Sequence, residues 1–392
     1  MRSAGIICEC NPLHGGHQYL IEQARDAGAE AVICVMSGCF TQRGDAAIAD
    51  PYTRAEALIR GGADGVVELP FPYSSAGAEF FAAAGVDILT SMGVDEIWFG
   101  SEYGDLSLLQ GAASAVDSPE FQALYAESAG QQEGTTQVFL RLLREQLRLS
   151  APFSSNDILG ISYLRAIKAQ KSALCPATIK RQGADYRQQA ATHGEFPSAM
   201  AVRNVIRDGG MDAAQPYLTA DTLTLLKHAE TEGTAPADLK WAERWILGLF
   251  RTIDPNTCVA ELGGGLLPRM IRAAQQADSL EGLLTLAATK KYPLARLRRG
   301  ILFALTGITP EDLRTLPAYT RLLAANATGC RFLAEQRKKA EIPVVTRNAS
   351  LPSTPDAIRQ AEWERRAYAL YTLCLPTPRS PGDLLKRNPI II

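Results

Sequence analysis

Asn11-Pro12-Leu13-His14-Gly15-Gly16-His17 is the stretch whose reading decides the fold. The apolar run Ala4-Gly5-Ile6-Ile7-Cys8 precedes it and Tyr19-Leu20-Ile21-Glu22-Gln23-Ala24 follows, an order that predicts strand, tight turn and helix start. Pro12 pre-sets a turn, and the two glycines let the backbone come close to a ligand. The first N–H groups of the helix are expected to point out of the carboxyl end of the first strand, where open α/β sheets bind ligands. His14 and His17 lie three apart, so both rings face one way on the first helical turn. Two imidazoles beside free backbone N–H groups suit an anionic phosphate whose charge grows in a transition state. The plainer alternative is a pair of surface histidines in a glycine loop, yet two of the chain's four histidines fall within these four residues.

Working outward, residues 1–100 alternate between apolar runs and helical periods. The expected strands are Ala4–Cys8, Ala31-Val32-Ile33-Cys34-Val35-Met36, Gly65-Val66-Val67-Glu68-Leu69 and Glu96-Ile97-Trp98-Phe99. Helices are expected near 17–27, 52–61 and 76–91, which makes a parallel sheet with crossover helices. The loops after the strands carry the polar residues Ser37 to Asp45, Ser74-Ser75 and Gly100-Ser101-Glu102. Gln42 and Arg43 thereby become candidates for contacts with phosphate or substrate. Two helices are expected over 104–150, with a break near 130–135, then a helix capped by Asn156 or Asp157 and running to about 171. Thr178-Ile179-Lys180-Arg181 reads as a fifth strand. Ser198, at the start of a further helix, and Arg203 one turn later could both reach a triphosphate tail.

From about 212 the alternation gives way to leucine- and alanine-rich helical periods with Gly/Pro breaks. The expectation is therefore an α/β, Rossmann-like parallel-sheet domain over 1–211, followed by an all-α domain over 212–392. A length of 392 residues and a hydrophobic fraction of 46% allow such cores. Net charge is only −2, but residues 1–150 carry 8 Arg/Lys against 20 Asp/Glu, and residues 281–347 carry 12 against 5. That asymmetry points to a nucleic-acid-binding part, with solvated helix faces as the alternative. Tyr292 beside Lys290 and Lys291, and Tyr319 beside Arg321, interleave aromatics with cations as single-strand binders do. The apolar tail Asn388-Pro389-Ile390-Ile391-Ile392 is expected to pack on something. Neither a secretory h-region nor an apolar run of ~18 residues is seen, and eight scattered cysteines without a CxxC fit a reduced, cytoplasmic setting.

His14-Gly15-Gly16-His17 after a first strand resembles the signature of the nucleotidyltransferase superfamily that adenylylates substrates from ATP. Several further blocks, in order, resemble the bacterial tRNA(Met) cytidine acetate ligases. They are Gly5 to His17, Ser37 to Gly44, Gly62-Ala63-Asp64-Gly65-Val66-Val67-Glu68-Leu69-Pro70 and Phe99-Gly100-Ser101-Glu102. Later come Asn156-Asp157-Ile158-Leu159-Gly160, Ile179-Lys180-Arg181 and Pro317 to Ala324.

The resemblance implies an enzyme that activates acetate with ATP to acetyl-adenylate and pyrophosphate. It would then acetylate N4 of the wobble cytidine of elongator tRNA(Met). His14 and His17 would be catalytic. Ile7, Cys8, Glu9, Asn11, Pro12, Leu13, His14, Gly15, Gly16, His17, Leu20, Gly100, Asn156 and Arg181 would surround ATP. Mg2+ would bridge phosphate oxygens without dedicated protein ligands. Lys290, Lys291, Arg296, Arg298, Arg299, Arg337, Lys338 and Lys339 are the candidates for gripping tRNA, with neither membrane nor DNA expected as a partner. Two positions depart from the family pattern: Met200 where a threonine is usual, and Cys10 where an aromatic commonly precedes the asparagine. The rival readings are another adenylyltransferase of the superfamily, acting on a coenzyme precursor, and a non-catalytic nucleotide- or tRNA-binding protein.

Overall fold

The computed structural model describes residues 1–128, 135–181, 198–336 and 339–392. Eight strands among these form one sheet: β1 Ser3–Cys8, β2 Ala31–Ser37, β3 Gly65–Leu69, β4 Glu96–Ser101, β5 Cys175–Lys180, β6 Thr320–Ala325, β7 Val344–Val345 and β8 Ile390–Ile391. Their order is β5-β4-β1-β2-β3-β6-β7, with β8 also on β6. The first five run parallel, Ser3 to Cys8 pairing with Ala31 to Met36 and Glu96 to Ser101 with Cys175 to Lys180. After β3 the chain crosses back over β1 to lay β4 on its other side. That reversal leaves a crevice at the carboxyl ends of β1 and β4, the usual place for a ligand in an open α/β sheet.

The strands are apolar on both faces, as parallel strands covered by helices must be. Ile7, Ile33, Val35 and Val67 face the helices Ala78–Ser91, Leu106–Val116 and Ser155–Ala169. Ile6, Cys8, Val32, Cys34 and Val66 face Gly15–Asp26 and Pro51–Arg60. Cys8 and Cys10 share that second core. Where two helices were expected over 104–150 there are three, because Pro119 opens a new one after Val116. Residues 129–134, which include most of the expected break, lie outside the described residues.

Residues 212–316 are helical, as expected, and pack around Leu247, Phe250, Met270, Leu283, Leu297 and Phe303. The all-helical expectation is corrected further on. Thr320–Ala325 is a fully buried strand, antiparallel to β3, that extends the sheet of the first part. Its run Leu322-Leu323-Ala324-Ala325 has helix-forming composition and is too short for periodicity to separate a buried strand from a buried helix. The apolar tail pairs with it, Ile390 and Ile391 lying opposite Ala324 and Ala325.

Candidate active site

The histidine loop is fixed from both sides. Asn11 is buried and its Oδ1 accepts from the backbone N–H of Ile48 at 2.7 Å. Leu13 sinks into the core below, and the Asn11–Pro12 peptide is cis. The helix is then capped by the two histidines themselves. The backbone N–H of Gly16 donates to His14 Nδ1 at 3.0 Å, and that of His14 donates to His17 Nδ1 at 3.3 Å. These N–H groups were expected to be free for a ligand; they are spent on the rings. The consequence is chemical. With each Nδ1 accepting, each neutral ring must carry its proton on Nε2.

Both rings are neutral near pH 7. Burial, helped by the neighbouring ring and by Arg181 and Arg203, holds His14 well below the usual histidine range. Burial also lowers His17 to about 4. Their ring centroids are 4.1 Å apart. The pair therefore presents two N–H donors side by side at the crevice without charge of its own.

The cleft around them is lined by Ile7, Cys8, Glu9, Asn11, His14, His17, Leu20, Gln42, Arg43, Gly100, Asn156, Arg181, Ser198 and Arg203, all of them expected from the sequence. Pro12, Leu13, Gly15 and Gly16 shape the loop without lining the cleft. Asn11 Nδ2 is buried with no hydrogen-bond partner among the described residues, a donor left over on the cleft wall. Gly100 lets Arg181 lie close over the backbone, since a Cβ there would stand 3.0 Å from Arg181 Cγ and push that side chain aside. Glu9 is pushed up by burial, against the pull of Arg43 and Arg203, and accepts from the backbone N–H of Gln42 at 2.8 Å.

The expected cap of Ser155–Ala169 differs in detail. Ser154 is the N-cap and Asp157 completes the capping box, which leaves Asn156 for the cleft. Ser198 is an ordinary cap, its Oγ accepting from the N–H of Ala201 at 3.2 Å. Arg203 reaches back to the histidine loop and donates to Asn11 O at 2.7 Å. Met200 lies on the cleft wall and brings no hydroxyl.

Four residues that shape the cleft fall outside the expected site residues, although Phe99 and Glu102 stand in the Phe99-Gly100-Ser101-Glu102 block. Glu102 stands behind Asn156 and Arg181, accepting from Asn156 Nδ2 at 2.6 Å and pairing with Arg181 Nε at 3.4 Å. Arg54 is buried and donates to the carbonyls of Glu9, Ser37, Gly38 and Ala49, tying together the loops around the cleft. Phe99 and Tyr163 form an apolar wall, their rings 5.6 Å apart. Glu102 carried a signal in its place in the polar loop after β4, and Arg54 in being a charge among the apolar neighbours Ala55, Leu58 and Ile59.

The basic residues divide. Lys290, Lys291 and Lys339 are exposed, and Lys291 lies over the ring of Tyr292 at 5.5 Å. Arg296 and Arg299 pair with Glu261, at 3.5 and 2.9 Å, and Arg298 pairs with Asp45 at 3.3 Å. These three, expected on a free cationic face, are engaged inside the molecule, because their helix packs on the loop that carries Gln42 to Asp45. Arg337 and Lys338 lie outside the described residues. Tyr319 and Arg321 are fully withdrawn from solvent into contacts with Glu364, so that aromatic–cation pair serves the core and not RNA.

Comparison with known proteins bears on this geometry. The family model described as HIGH Nucleotidyl Transferase matches residues 1–383. The tRNA(Met) cytidine acetate ligase of Caldanaerobacter subterraneus subsp. tengcongensis is 34% identical over 383 residues, 95% of each chain. That of Acetivibrio thermocellus is 33% identical over the whole of both chains. The chain belongs to the tRNA(Met) cytidine acetate ligase family. The crystal structure of Thermotoga maritima TmcAL bound with alpha-thio ATP is similar over 100% of both chains, with 28% identity and a TM-score of 0.90. The apo form of the same protein has a TM-score of 0.92. The cleft of this chain brings together the two neutral histidine rings and the arginines Arg43, Arg181 and Arg203.

Proposed function

We infer that the chain activates acetate with ATP, forming acetyl-adenylate and pyrophosphate. It then passes the acetyl group to N4 of the wobble cytidine of elongator tRNA(Met), giving N4-acetylcytidine and AMP. The observation that carries this reading is the pair of Nε2–H donors held at the sheet's switch point with Asn11 Nδ2 and the cationic rim.

In the first step a carboxylate oxygen of acetate bonds to the α-phosphorus, and the bond from that phosphorus to the α,β-bridging oxygen breaks, so that pyrophosphate leaves. Acetate and triphosphate repel each other, so the site must align them and accommodate charge that spreads in the transition state. Arg43, Arg181 and Arg203 supply positive charge at the rim. His14 and His17, being neutral, add donor strength where oxygen charge builds. In the second step the cytosine amine attacks the acetyl carbon, AMP leaves and the amine gives up one proton. The buried rings of Phe99 and Tyr163 give the cleft an apolar wall against which the mixed anhydride would be shielded from water. Mg2+ brought with ATP would be held chiefly by the phosphate oxygens and would offset their charge.

The helical stretch over 212–316, with its exposed lysines, is proposed as the part that grips tRNA, while the sheet and its loops do the chemistry. No helix among the described residues is long and apolar enough to cross a membrane. The eight cysteines are all free, which suits the reducing cytoplasm as the place of action. The test is to incubate the chain with ATP, Mg2+, labelled acetate and an unmodified elongator tRNA(Met) transcript, then digest to nucleosides. Label in N4-acetylcytidine that depends on ATP is expected. Label absent from the nucleosides, or present without ATP, would contradict the reading.

A further inference from the structure

The chain has four tryptophans, and the structure treats them unequally. Trp98 and Trp363 are buried, whereas Trp241 and Trp245 are 52% and 45% exposed. The last two sit one helical turn apart, at the junction of the short helix Leu239–Ala242 with Glu243–Thr252. That pair of helices buries Leu239, Ala242, Ile246, Leu247 and Phe250, so its core face is complete without either indole. Lys240 and Arg244 are exposed with the tryptophans, and Lys240 Nζ stands 5.5 Å over the ring of Trp241. The one acid in the stretch, Glu243, turns away and accepts from the N–H of Leu280 at 3.1 Å. What remains outward over 240–245 is two cations and two large aromatic faces. Two exposed indoles one turn apart mark an interaction surface, and the accompanying charge selects an anionic partner. The chemistry that needs both is an unpaired run of nucleotides, whose bases stack on aromatic rings and whose phosphates meet Lys and Arg.

The surface is also tied to the cleft. Ala237 donates its N–H to Ile48 O at 2.9 Å, and Ile48 donates to Asn11 of the histidine loop.

We propose that Trp241 and Trp245 form a stacking platform for unpaired bases of the tRNA substrate, with Lys240 and Arg244 taking the adjoining phosphates. The proposal rests on the acceptor being RNA, as inferred above.

The experiment is a fluorescence titration of the full chain with elongator tRNA(Met), and in parallel with its anticodon stem-loop alone. Stacking is expected to quench the exposed tryptophans. Trp241→Ala with Trp245→Ala is expected to weaken RNA binding at least about tenfold, the scale of lost base stacking. Trp241→Phe with Trp245→Phe, which keeps aromatic faces, should restore binding to within about threefold. Acetate-dependent pyrophosphate exchange should be unchanged in both variants. Quenching by the stem-loop would assign the platform to anticodon-loop bases, and quenching by whole tRNA only would assign it to unpaired bases elsewhere. Either supports the proposal. RNA affinity unchanged in the alanine variant would overturn it. So would a loss of self-association in that variant without loss of RNA affinity, which would make a second copy of the chain the occupant. A wild-type chain that exchanges pyrophosphate but binds no tRNA would instead break the functional reading beneath it.

Discussion

At the cleft, His14 and His17 are uncharged and locked to backbone N–H groups, and the guanidiniums of Arg181 and Arg203 are held by Glu102 and by Asn11 O. Along residues 240–245, two cations and two indoles stand in solvent with none of that bracing. The first arrangement suits a reaction, where donors must already be in place when charge develops on a small group. The second suits a long flexible polymer, which brings its own shape to the surface and is held through stacking and phosphate contacts. The difference between them is one of preorganisation. It also shows why counting cations along the sequence located the RNA-facing part only coarsely. Arg296, Arg298 and Arg299 add to the positive count yet are spent on Glu261 and Asp45.

The comparison breaks most visibly if the cleft does not depend on its histidine donors. His17→Ala is expected to slow acetate-dependent pyrophosphate exchange by about 10²–10³-fold, the usual scale for a lost transition-state donor. His17→Asn, which offers an acceptor to the His14 N–H but no Nε2–H, should be nearly as slow. Retention of most activity by the asparagine variant would mean that the ring serves the loop and not the reaction.

A second, smaller effect concerns Glu102. It touches Asn156 and Arg181 but does not line the cleft, so it acts as a positioning residue. A carboxylate accepts and never donates, which fixes the Asn156 amide with Nδ2 towards Glu102. Glu102→Gln removes that constraint and the pairing with Arg181. The KM for ATP is expected to rise about tenfold, the cost of a charged hydrogen bond of about 1.5 kcal/mol, with kcat much less affected. Equal loss in kcat and in kcat/KM would place Glu102 in the transition state instead.

The helical part meets the cleft loop at Arg298, whose partner Asp45 also lies within 4.0 Å of Arg203. Arg298→Glu sets two carboxylates against each other on the loop beside the ATP site. A fall of about threefold in exchange without tRNA is expected, from a partly exposed pair worth under about 1 kcal/mol. Unchanged exchange would mean that the helical part does not brace the cleft.

The smallest effect is in titration. His17 is held at about 4 in the fold, and an unfolded histidine titrates near 6.5. As pH falls below about 6.5 the unfolded chain takes up a proton that the fold refuses, so stability declines through that window. Ring resonances should show His17 still neutral at pH 5.5. A midpoint near 6.5 would contradict the buried, uncharged donor.

Much of this was legible in the sequence. Apolar runs followed by polar loops located β1 to β5, and the histidine spacing placed the centre of the cleft. What escaped was tertiary. Thr320–Ala325 has the composition of a helix and becomes a strand because β3 offers it an open edge. The Tyr319–Arg321 pair mimics an RNA-binding pattern but answers to Glu364, 43 to 45 residues along the chain. Glu102 matters through residues 54 positions away and beyond, a contact that no local pattern encodes. Trp241 and Trp245 were passed over because a helix period does not reveal which face another helix will cover.

The most direct test of the account is exchange of labelled pyrophosphate into ATP by the full chain, with Mg2+, with and without acetate, and in the absence of tRNA. The account predicts exchange that requires acetate, is not supported by nicotinate or phosphopantetheine, and collapses in His17→Asn. Exchange that is indifferent to acetate, or that survives in His17→Asn, would contradict it.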